Sequence, residues 1–250
     1  MQILIACAKI MTNEPSKPVP YATEPIFQTV ANRHALQMSR YDVDEIGMML
    51  RCNKAIAAEN KLRYRSFFDT STRRPAIFSY DGMVFKKIAP ETMTDADLTY
   101  ANDHLLIGSF LYGLLRPLDL INCYRLEGDV VLPDNGMNMF DTWKPILTDR
   151  LIERVKADDG VLVNLASNEF KNMFDWKRVQ RELTVITPEF KVAKDGKLKT
   201  VVIYTKMCRG AMTRMIIKNR MTAPSDLKNF DYEGFTLSGD GKNEFLFTLE

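Results

Sequence analysis

The chain has 250 residues, of which 46% are hydrophobic and 26% charged, and its 34 basic and 32 acidic side chains leave a net charge of +2. This is an ordinary globular composition, long enough to bury a core without disulfides or metals, and it excludes a molecule that is basic over its whole surface. A local basic patch must therefore hold any anionic partner. The short N-terminal apolar run is interrupted by Lys9, which favours a buried strand over a signal peptide, and no run is long enough to cross a membrane.

Hydrophobic periodicity and capping residues predict helices that alternate with short strands in no strict rhythm. The first half is predicted to contain a strand at Ile3–Cys7, a loop over 12–25, a helix capped by Thr23 and running to Ser39, helices at Asp42–Leu50 and Asn53–Phe67, extended segments at Ala76–Tyr80 and Val84–Phe85 around an Asp81–Gly82 turn, and a helix at Thr94–His104. The second half is predicted to begin with the segment Leu105–Leu120, which is broken at Arg116–Pro117, followed by extended pieces at Tyr124–Leu126 and Val130–Leu132 and a helix at Phe140–Lys156. A strand at Val161–Leu165 and a helix from Ser167 come next. The chain is then predicted to form a hairpin of Thr184–Val192 and Leu198–Tyr204, a helix at Met207–Met221 and a strand at Glu244–Leu249. The pattern predicts one mixed α/β (α+β) domain over residues 1–250.

Cysteines and histidines are scattered along the chain, with no CxxC pair, so the sequence predicts no metal site and no cofactor. Scattered thiols are typical of a reducing compartment, and we expect a cytoplasmic protein without membrane contact. The residues concerned are Cys7, Cys52, Cys123, Cys208, His34 and His104.

The clearest charge asymmetry is the stretch 196–225, which has seven Lys or Arg residues and no Asp or Glu. One face of its predicted helix carries Lys206, Arg209, Thr213 and Arg220, with Arg214 and Lys218 on a neighbouring side. Arg209 and Arg220 are separated by roughly 16 Å at ~1.5 Å per residue, enough to follow a phosphate backbone. The alternative is a solvated helix face without a ligand.

The two helices predicted at about 42–67 form a candidate helix-hairpin-helix, because a short turn at 51–53 joins them. Helix N-termini offer unpaired N–H groups to a phosphate, and basic residues lie close by. The glycines usual in such a hairpin are missing, so a plain helical pair is the alternative. The basic residues are Lys54, Lys61, Arg63 and Arg65.

Two polar motifs suit the wall of a cleft. The first has two arginines and two acids, with Gly113 and Pro117 fixing the backbone: Arg116, Asp119, Arg125 and Glu127. An arginine there can bind a phosphate or a carboxylate, or an internal ion pair such as Arg116 with Asp119 can form. The second, Asn164–Glu169, follows a predicted strand, a position that often lines a ligand crevice. No catalytic residue is assigned. If the protein is an enzyme, the candidates are Asp119, Tyr124, Ser167 and Glu169, with Asp119 or Glu169 as acid or base.

Four segments carry a family resemblance that runs nearly end to end. ILIACAKIM is similar to ILISPAKTL, with Ala6 and Cys7 in place of Ser and Pro. LYGLLRPLDLINCYRLE, VLVNLASNEF and KMCRGAMTRMIIKNRMTAPSDLKNFDYEGF are closer matches, with Cys208 in place of Ala and Phe235 in place of Tyr. These segments resemble the YaaA family of bacterial peroxide-stress proteins.

The resemblance implies a compact α/β domain of the type called the cantaloupe fold, with a helix-hairpin-helix and a positively charged cleft. It implies binding of duplex and branched DNA, mainly through the phosphate backbone, and a role in limiting free iron during hydrogen peroxide stress. An enzyme acting on a nucleotide or small phosphorylated substrate is the alternative, and no protein partner is identified. The expected DNA-binding residues are Lys9, Arg116, Arg125, Lys206, Arg209, Arg214 and Arg220 along the cleft, and Arg51, Lys54 and Arg63 at the hairpin.

Overall fold

Short strands and helices alternate along the chain in the computed structural model, which describes residues 1–241 and 243–250 and confirms the mixed α/β class. The strands are β1 (Gln2–Ala6), β2 (Arg74–Pro75), β3 (Leu105–Ser109), β4 (Gly113–Leu115), β5 (Leu120–Ile121), β6 (Val161–Asn164), β7 (Thr184–Ile186), β8 (Glu189–Lys194), β9 (Lys197–Lys199), β10 (Thr236–Asp240) and β11 (Phe245–Leu249). The α-helices are α1 (Gln28–Met38), α2 (Val43–Met49), α3 (Lys54–Arg65), α4 (Ala76–Ser79), α5 (Met83–Ile88), α6 (Asp95–His104), α7 (Met139–Lys156), α8 (Trp176–Glu182) and α9 (Val202–Asn219). None of these helices is both long and apolar enough to cross a lipid bilayer.

The central sheet has five strands in the order β4-β3-β1-β6-β7, and all of them are parallel except β4. Strand β1 lies in the middle because Ile3, Leu4 and Ile5 are apolar and fully buried, as a strand covered on both faces requires. The chain first places β3 on one side of β1 and later places β6 on the other side. Where successive strands are added on opposite sides of a central strand, a crevice opens at the carboxyl ends of the strands beside it.

A second sheet, in the order β10-β11-β8-β9, is built mainly from the C-terminal third of the chain. The predicted hairpin at Asp195–Gly196 joins β8 to β9, and both turn residues have positive φ angles, 55° and 70°. A two-residue hairpin turn of this kind favours glycine. The predicted closing strand is also confirmed, since β11 pairs with β8 and with β10.

The two short helices α2 and α3 are confirmed, and each begins at a residue whose side chain caps it. Asp42 forms a capping box with Glu45, and Asn53 accepts a hydrogen bond from the backbone N–H of Ile56 at 3.0 Å. The turn between them contains Arg51, whose φ of 46° lies in the left-handed region. We call these elements the α2–α3 pair.

The predicted cap at Thr23 is wrong, because α1 begins only at Gln28. Thr23 instead forms an isolated β-bridge with Asp119, and its hydroxyl donates to the Asp119 carboxylate at 2.6 Å. Since its backbone and side chain both bind the 116–119 turn, they cannot also start a helix.

The extended segments predicted at Ala76–Tyr80 and Val84–Phe85 are also wrong: the structure forms α4 and α5 there. Short apolar runs do not by themselves distinguish a strand from a buried helix. Gly82 begins α5 rather than turning a hairpin.

Other predicted elements also differ from the structure. The predicted hairpin arm Thr184–Val192 is divided into β7, in the central sheet, and β8, in the second sheet. Helix α9 begins at Val202 rather than Met207, and the strand before it ends at Lys199. Ser167 is followed by a 3-10 turn at Asn168–Met173 instead of an α-helix. The extended pieces predicted at Tyr124–Leu126 and Val130–Leu132 form no strand, apart from one isolated bridge between Val131 and Asn138.

Candidate functional site

A pocket of about 540 Å³ lies at the carboxyl edge of the central sheet. Residues at or just beyond the ends of β1, β3 and β6 form part of its lining, among them Cys7, Phe110 and Leu165. The pocket therefore occupies the crevice that opens because β3 and β6 lie on opposite sides of β1. Its volume is in the range of small-molecule sites, roughly 300–1,000 Å³.

Helices α5 and α9 form another wall of the pocket, and two glycines allow them to pack closely. A Cβ atom on Gly210 of α9 would lie 2.3 Å from the carbonyl oxygen of Val84 in α5. A Cβ atom on Gly82, at the start of α5, would lie 2.7 Å from the Cβ of Ala8. Only glycine at these two positions lets α5 pack between α9 and the loop after β1.

More basic than acidic side chains line the pocket, so it carries a net positive charge. The basic residues are Lys9, Lys86, Arg125, Lys206 and Arg209, and the acidic residues are Asp81, Glu127 and Glu169.

Three of these basic side chains already have an acidic partner. Glu127 is bound by two of them: its Oε2 lies 2.8 Å from Lys9 Nζ, and its Oε1 lies 3.0 Å from Arg125 Nε. Lys86 pairs with Asp81 at 3.1 Å. Glu127 is buried while Lys9 is exposed, so Lys9 keeps access to solvent.

Arg209 is different, because no side chain among the described residues pairs with it. Its Nε is buried and has no hydrogen-bond partner. Burial lowers the pKa of Arg209 from its usual value, yet an arginine guanidinium stays charged in proteins. A desolvated cation without a partner is costly, and an anionic group that entered the pocket would offset that cost. Lys206, on the same helix, is exposed and also has no partner in the described part of the chain.

The candidate acid, base and nucleophile groups in the pocket lie in different environments. Burial raises the pKa of the Cys7 thiol to about 12, so it stays protonated and is a poor nucleophile at neutral pH. The Tyr124 hydroxyl is engaged with Ser109 at 2.6 Å and with Tyr80 at 3.0 Å. Ser167 and Glu169 line the pocket, but neither histidine does.

The structure places Arg116 and Asp119 outside the pocket, which corrects their expected place in a cleft. Asp119 is fully buried, and its Oδ1 lies 3.0 Å from Arg116 Nη2. Burial raises the pKa of Asp119, while hydrogen bonds from Thr23 and Arg116 stabilise its charged form. The internal ion pair, the alternative considered for this motif, is therefore present.

Arg214 and Arg220 also lie outside the pocket, although both were expected to line a cleft. Arg214 Nη1 donates to the carbonyl oxygens of Ile88 and Ala89 at 2.8 and 3.1 Å, where α5 ends. Arg220 Nη2 lies 2.9 Å from Asp97 Oδ1, so its charge is neutralised inside the fold.

The predicted basic stripe on α9 is therefore interrupted. Thr213 is buried and donates to the carbonyl oxygen of Arg209 at 2.8 Å. Arg220 follows the helix with a left-handed φ of 52°, and its side chain pairs with Asp97 instead of lining the pocket.

The α2–α3 pair presents three of its basic residues to solvent. The side chains of Arg51 and Lys54 are both 80% exposed, and they pair with Asp129 and Asp44. Arg63 is mostly buried and binds Glu59 and the carbonyl oxygen of Met11. Lys61 is occupied by backbone carbonyls near the end of α1, whereas Arg65 is exposed.

Sequence reasoning missed Asp81 and Lys86 in the pocket, because α5 was read as extended backbone. A signal was present: Gly210 lies in the middle of a long helix, where glycine is unfavourable unless another element packs closely. Among residues 1–241 and 243–250, no three His, Cys, Asp or Glu side chains come together as a metal site would require.

The fold and the pocket together define an α+β protein with a cation-rich crevice at the carboxyl edge of its central sheet, where β3 and β6 flank β1. Residues 1–240 match the family model described as peroxide stress protein YaaA, and the chain belongs to this family. It is similar to curated relatives named UPF0246 protein over almost the whole length of each chain. The one from Phocaeicola vulgatus is 51% identical (100% of this chain, 99% of the relative), that from Porphyromonas gingivalis 44% (100% of both), and that from Francisella tularensis 35% (98% of both).

Proposed function

We propose that this protein is a DNA-binding protein of the cytoplasmic peroxide stress response that limits free iron and so protects DNA and proteins. The observation that carries the DNA-binding part is Arg209, a desolvated guanidinium in the pocket without a partner in the described part of the chain. A phosphate supplies the missing negative charge and accepts its hydrogen bonds in bidentate geometry. Membership of the peroxide-stress family supports the cellular role.

The surroundings of the pocket support contact with a phosphate backbone rather than with a single isolated anion. Lys9 and Lys206 are exposed at the pocket, where further phosphates can reach them. The α2–α3 pair lies next to it, since Arg51 pairs with Asp129, two residues beyond the pocket residue Glu127. A DNA strand can therefore contact the pocket and the turn of the α2–α3 pair together.

Binding of a labelled duplex and a four-way junction across a salt series tests this proposal. Affinity should fall steeply with salt, because each neutralised phosphate releases counterions. The double variant Arg209→Ala/Lys206→Ala should bind more weakly and with a slope smaller by about 2, at ~0.9 per phosphate contact. Arg150→Ala, an exposed arginine on α7 outside the pocket, serves as the control and should behave like wild type. Absence of binding at low salt, or binding insensitive to salt, would contradict the proposal.

The iron-limiting role requires a cellular measurement. Cells that lack the gene should accumulate unincorporated iron under hydrogen peroxide, as measured by electron paramagnetic resonance of chelated iron. Wild-type protein should restore the low level and the double variant should not. Restoration by both proteins would separate iron limitation from the pocket.

A second candidate function is an enzyme acting on a nucleotide or small phosphorylated substrate. The pocket volume of about 540 Å³ favours it, because that volume is in the range of small-molecule sites. Ser167 and Glu169 also line the pocket, and Glu169 would be the acid or base. Turnover of a panel of nucleotides and sugar phosphates, lost in Glu169→Gln, would support this function.

A further inference from the structure

The inner surface of the pocket is mainly apolar, which phosphate binding alone does not explain. Small and aliphatic side chains share the lining with four aromatic residues, and the rings of two of them, Phe110 and Phe170, are stacked with centroids 4.6 Å apart. Among the lining residues are Ala6, Ala8, Val84, Leu126, Leu165, Phe110 and Phe170. A volume of about 540 Å³ is much too small for a double helix.

The position of Arg209 requires its partner to enter the pocket. Its side chain is partly buried and lines the pocket, so an anion has to come into the pocket to pair with its guanidinium. The ligand therefore combines an anionic group that binds Arg209 with a flat or apolar part that fills the remaining space.

The rim of the pocket also offers apolar surface to solvent. Ile10 is 64% exposed and Ile203 is 45% exposed, and both line the pocket. The apolar surface of the pocket is therefore open to a ligand from solvent.

We propose that the pocket binds one nucleotide, with its phosphate on Arg209 and its base against the apolar inner surface. Two sources share this chemistry: an unpaired nucleotide in DNA and a free nucleoside monophosphate. The DNA source rests on the proposed function above. A paired nucleotide must first leave the base stack, which costs energy, whereas one in a bulge or at a branch point is already free. The pocket thus selects DNA that contains an unpaired nucleotide.

The test uses three labelled DNAs of one sequence: a full duplex, a duplex with a one-nucleotide bulge, and the same bulge carrying an abasic sugar-phosphate. Fluorescence anisotropy should show the bulged duplex bound about tenfold more tightly than the full duplex, since stacking of one base is worth that factor or more. The abasic bulge should lose the gain. Arg209→Met should abolish the preference, while Arg51→Ala, in the α2–α3 pair, should weaken all three DNAs equally.

Equal affinity for the three DNAs would overturn the inference. So would an abasic bulge bound as tightly as the base-bearing one, because only the flexibility of the DNA would then be recognised. Calorimetry with a nucleoside monophosphate separates the sources. If no DNA binds but the monophosphate binds wild type and not Arg209→Met, the inference holds and the DNA-binding proposal fails. If DNA binds without preference and the monophosphate does not bind, the inference fails alone. If neither ligand binds, both fail.

Discussion

The two ends of α9 carry the same kinds of basic side chain and use them in opposite ways. Lys206 and Arg209, in the N-terminal half, line the pocket and have no partner in the described part of the chain. Towards the C-terminus, Arg214 binds backbone carbonyls, and Lys218 and Arg220 both pair with one carboxylate. The partners of an arginine, more than its charge, therefore decide whether it is available to a ligand.

Asp97 is the carboxylate that makes this difference. It is buried, lies 2.7 Å from Lys218 Nζ and 2.9 Å from Arg220 Nη2, and forms a capping box with Thr94 at the start of α6. Arg220 also lies over the ring of Tyr100 at 4.6 Å. The basic side chains at this end of α9 are bound within the fold, whereas those at the other end line the pocket without a partner in the described part of the chain.

Removing Asp97 should give the largest effect on stability. Asp97→Ala removes the shared partner of two partly exposed cations and half of a capping box, so the free energy of unfolding should fall by about 2–4 kcal/mol. Urea denaturation measures the loss, while the folded variant should keep its affinity for DNA. Asp95→Ala, an exposed acidic residue in the same turn, is the matched control and should cost at most about 1 kcal/mol. Similar losses of unfolding free energy in the two variants would show that the ion pairs between Asp97 and the C-terminal end of α9 do not stabilise the fold.

Acid should weaken the ion pairs that Asp97 forms with Lys218 and Arg220. Burial opposes ionisation of Asp97, but hydrogen bonds from Lys218, Thr94 and Arg220 outweigh it and hold the pKa of this carboxyl well below its usual value of 3.8. Because the folded-state pKa is depressed, the stabilisation is complete above the unfolded-state value and is lost as pH falls through the folded-state value. Urea midpoints at pH 6, 4 and 3 should therefore show the gap between wild type and Asp97→Asn shrinking at the lowest pH. A constant gap would contradict the assignment.

The close packing of α5 on α9 should be the next most sensitive feature. Gly210→Ala places a methyl group against the carbonyl oxygen of Val84 and should cost about 1–3 kcal/mol. It should also weaken DNA binding, because the displaced helix carries Arg209. Gly47→Ala, in a helix with ordinary contacts of 3.6 Å, is the control and should be neutral or stabilising by up to about 1 kcal/mol. If both substitutions are neutral, the packing does not position the pocket wall.

Much of the fold follows from local sequence signals. Buried strands at β1 and β6, helix α7 and the β8–β9 hairpin are visible because continuous apolar runs, periodicity and an Asp-Gly turn each mark one element. Helices α4 and α5 cannot be recognised in this way, since their short apolar stretches fit a strand as well as a buried helix. Their helical form depends on packing against distant elements, including α9.

Part of the pocket was also predictable from the sequence. Its basic residues Lys9, Arg125, Lys206 and Arg209 were named from matched motifs, and all of them line it. The pairing of individual cations was not predictable, because the partners are remote. Lys218 and Asp97 are 121 residues apart in the chain, so no local pattern separates a cation held in the fold from one open to a ligand.

The smallest predicted effect concerns Glu127, which binds Lys9 and Arg125 in the pocket and so competes with a phosphate for them. Glu127→Gln removes that negative charge and keeps the shape of the side chain. DNA affinity should rise a few-fold, in line with about 0.5–1 kcal/mol for a partly exposed pair. Glu153→Gln, which releases Arg150 outside the pocket, is the control and should leave affinity unchanged. Weaker binding by Glu127→Gln would mean that Glu127 positions the two cations instead of competing for them.

The most direct test compares one arginine from each part of α9 by the same substitution. DNA affinity should be measured across a salt series for wild type, Arg209→Met and Arg214→Met, with each protein first shown to be folded. Arg209→Met should lose affinity, and the slope of log affinity against log salt should shrink by about 0.9, the value for one phosphate contact. Arg214→Met should keep the wild-type affinity and slope. Equal losses in both variants, or a loss only in Arg214→Met, would contradict the assignment of the N-terminal half of α9 to the ligand.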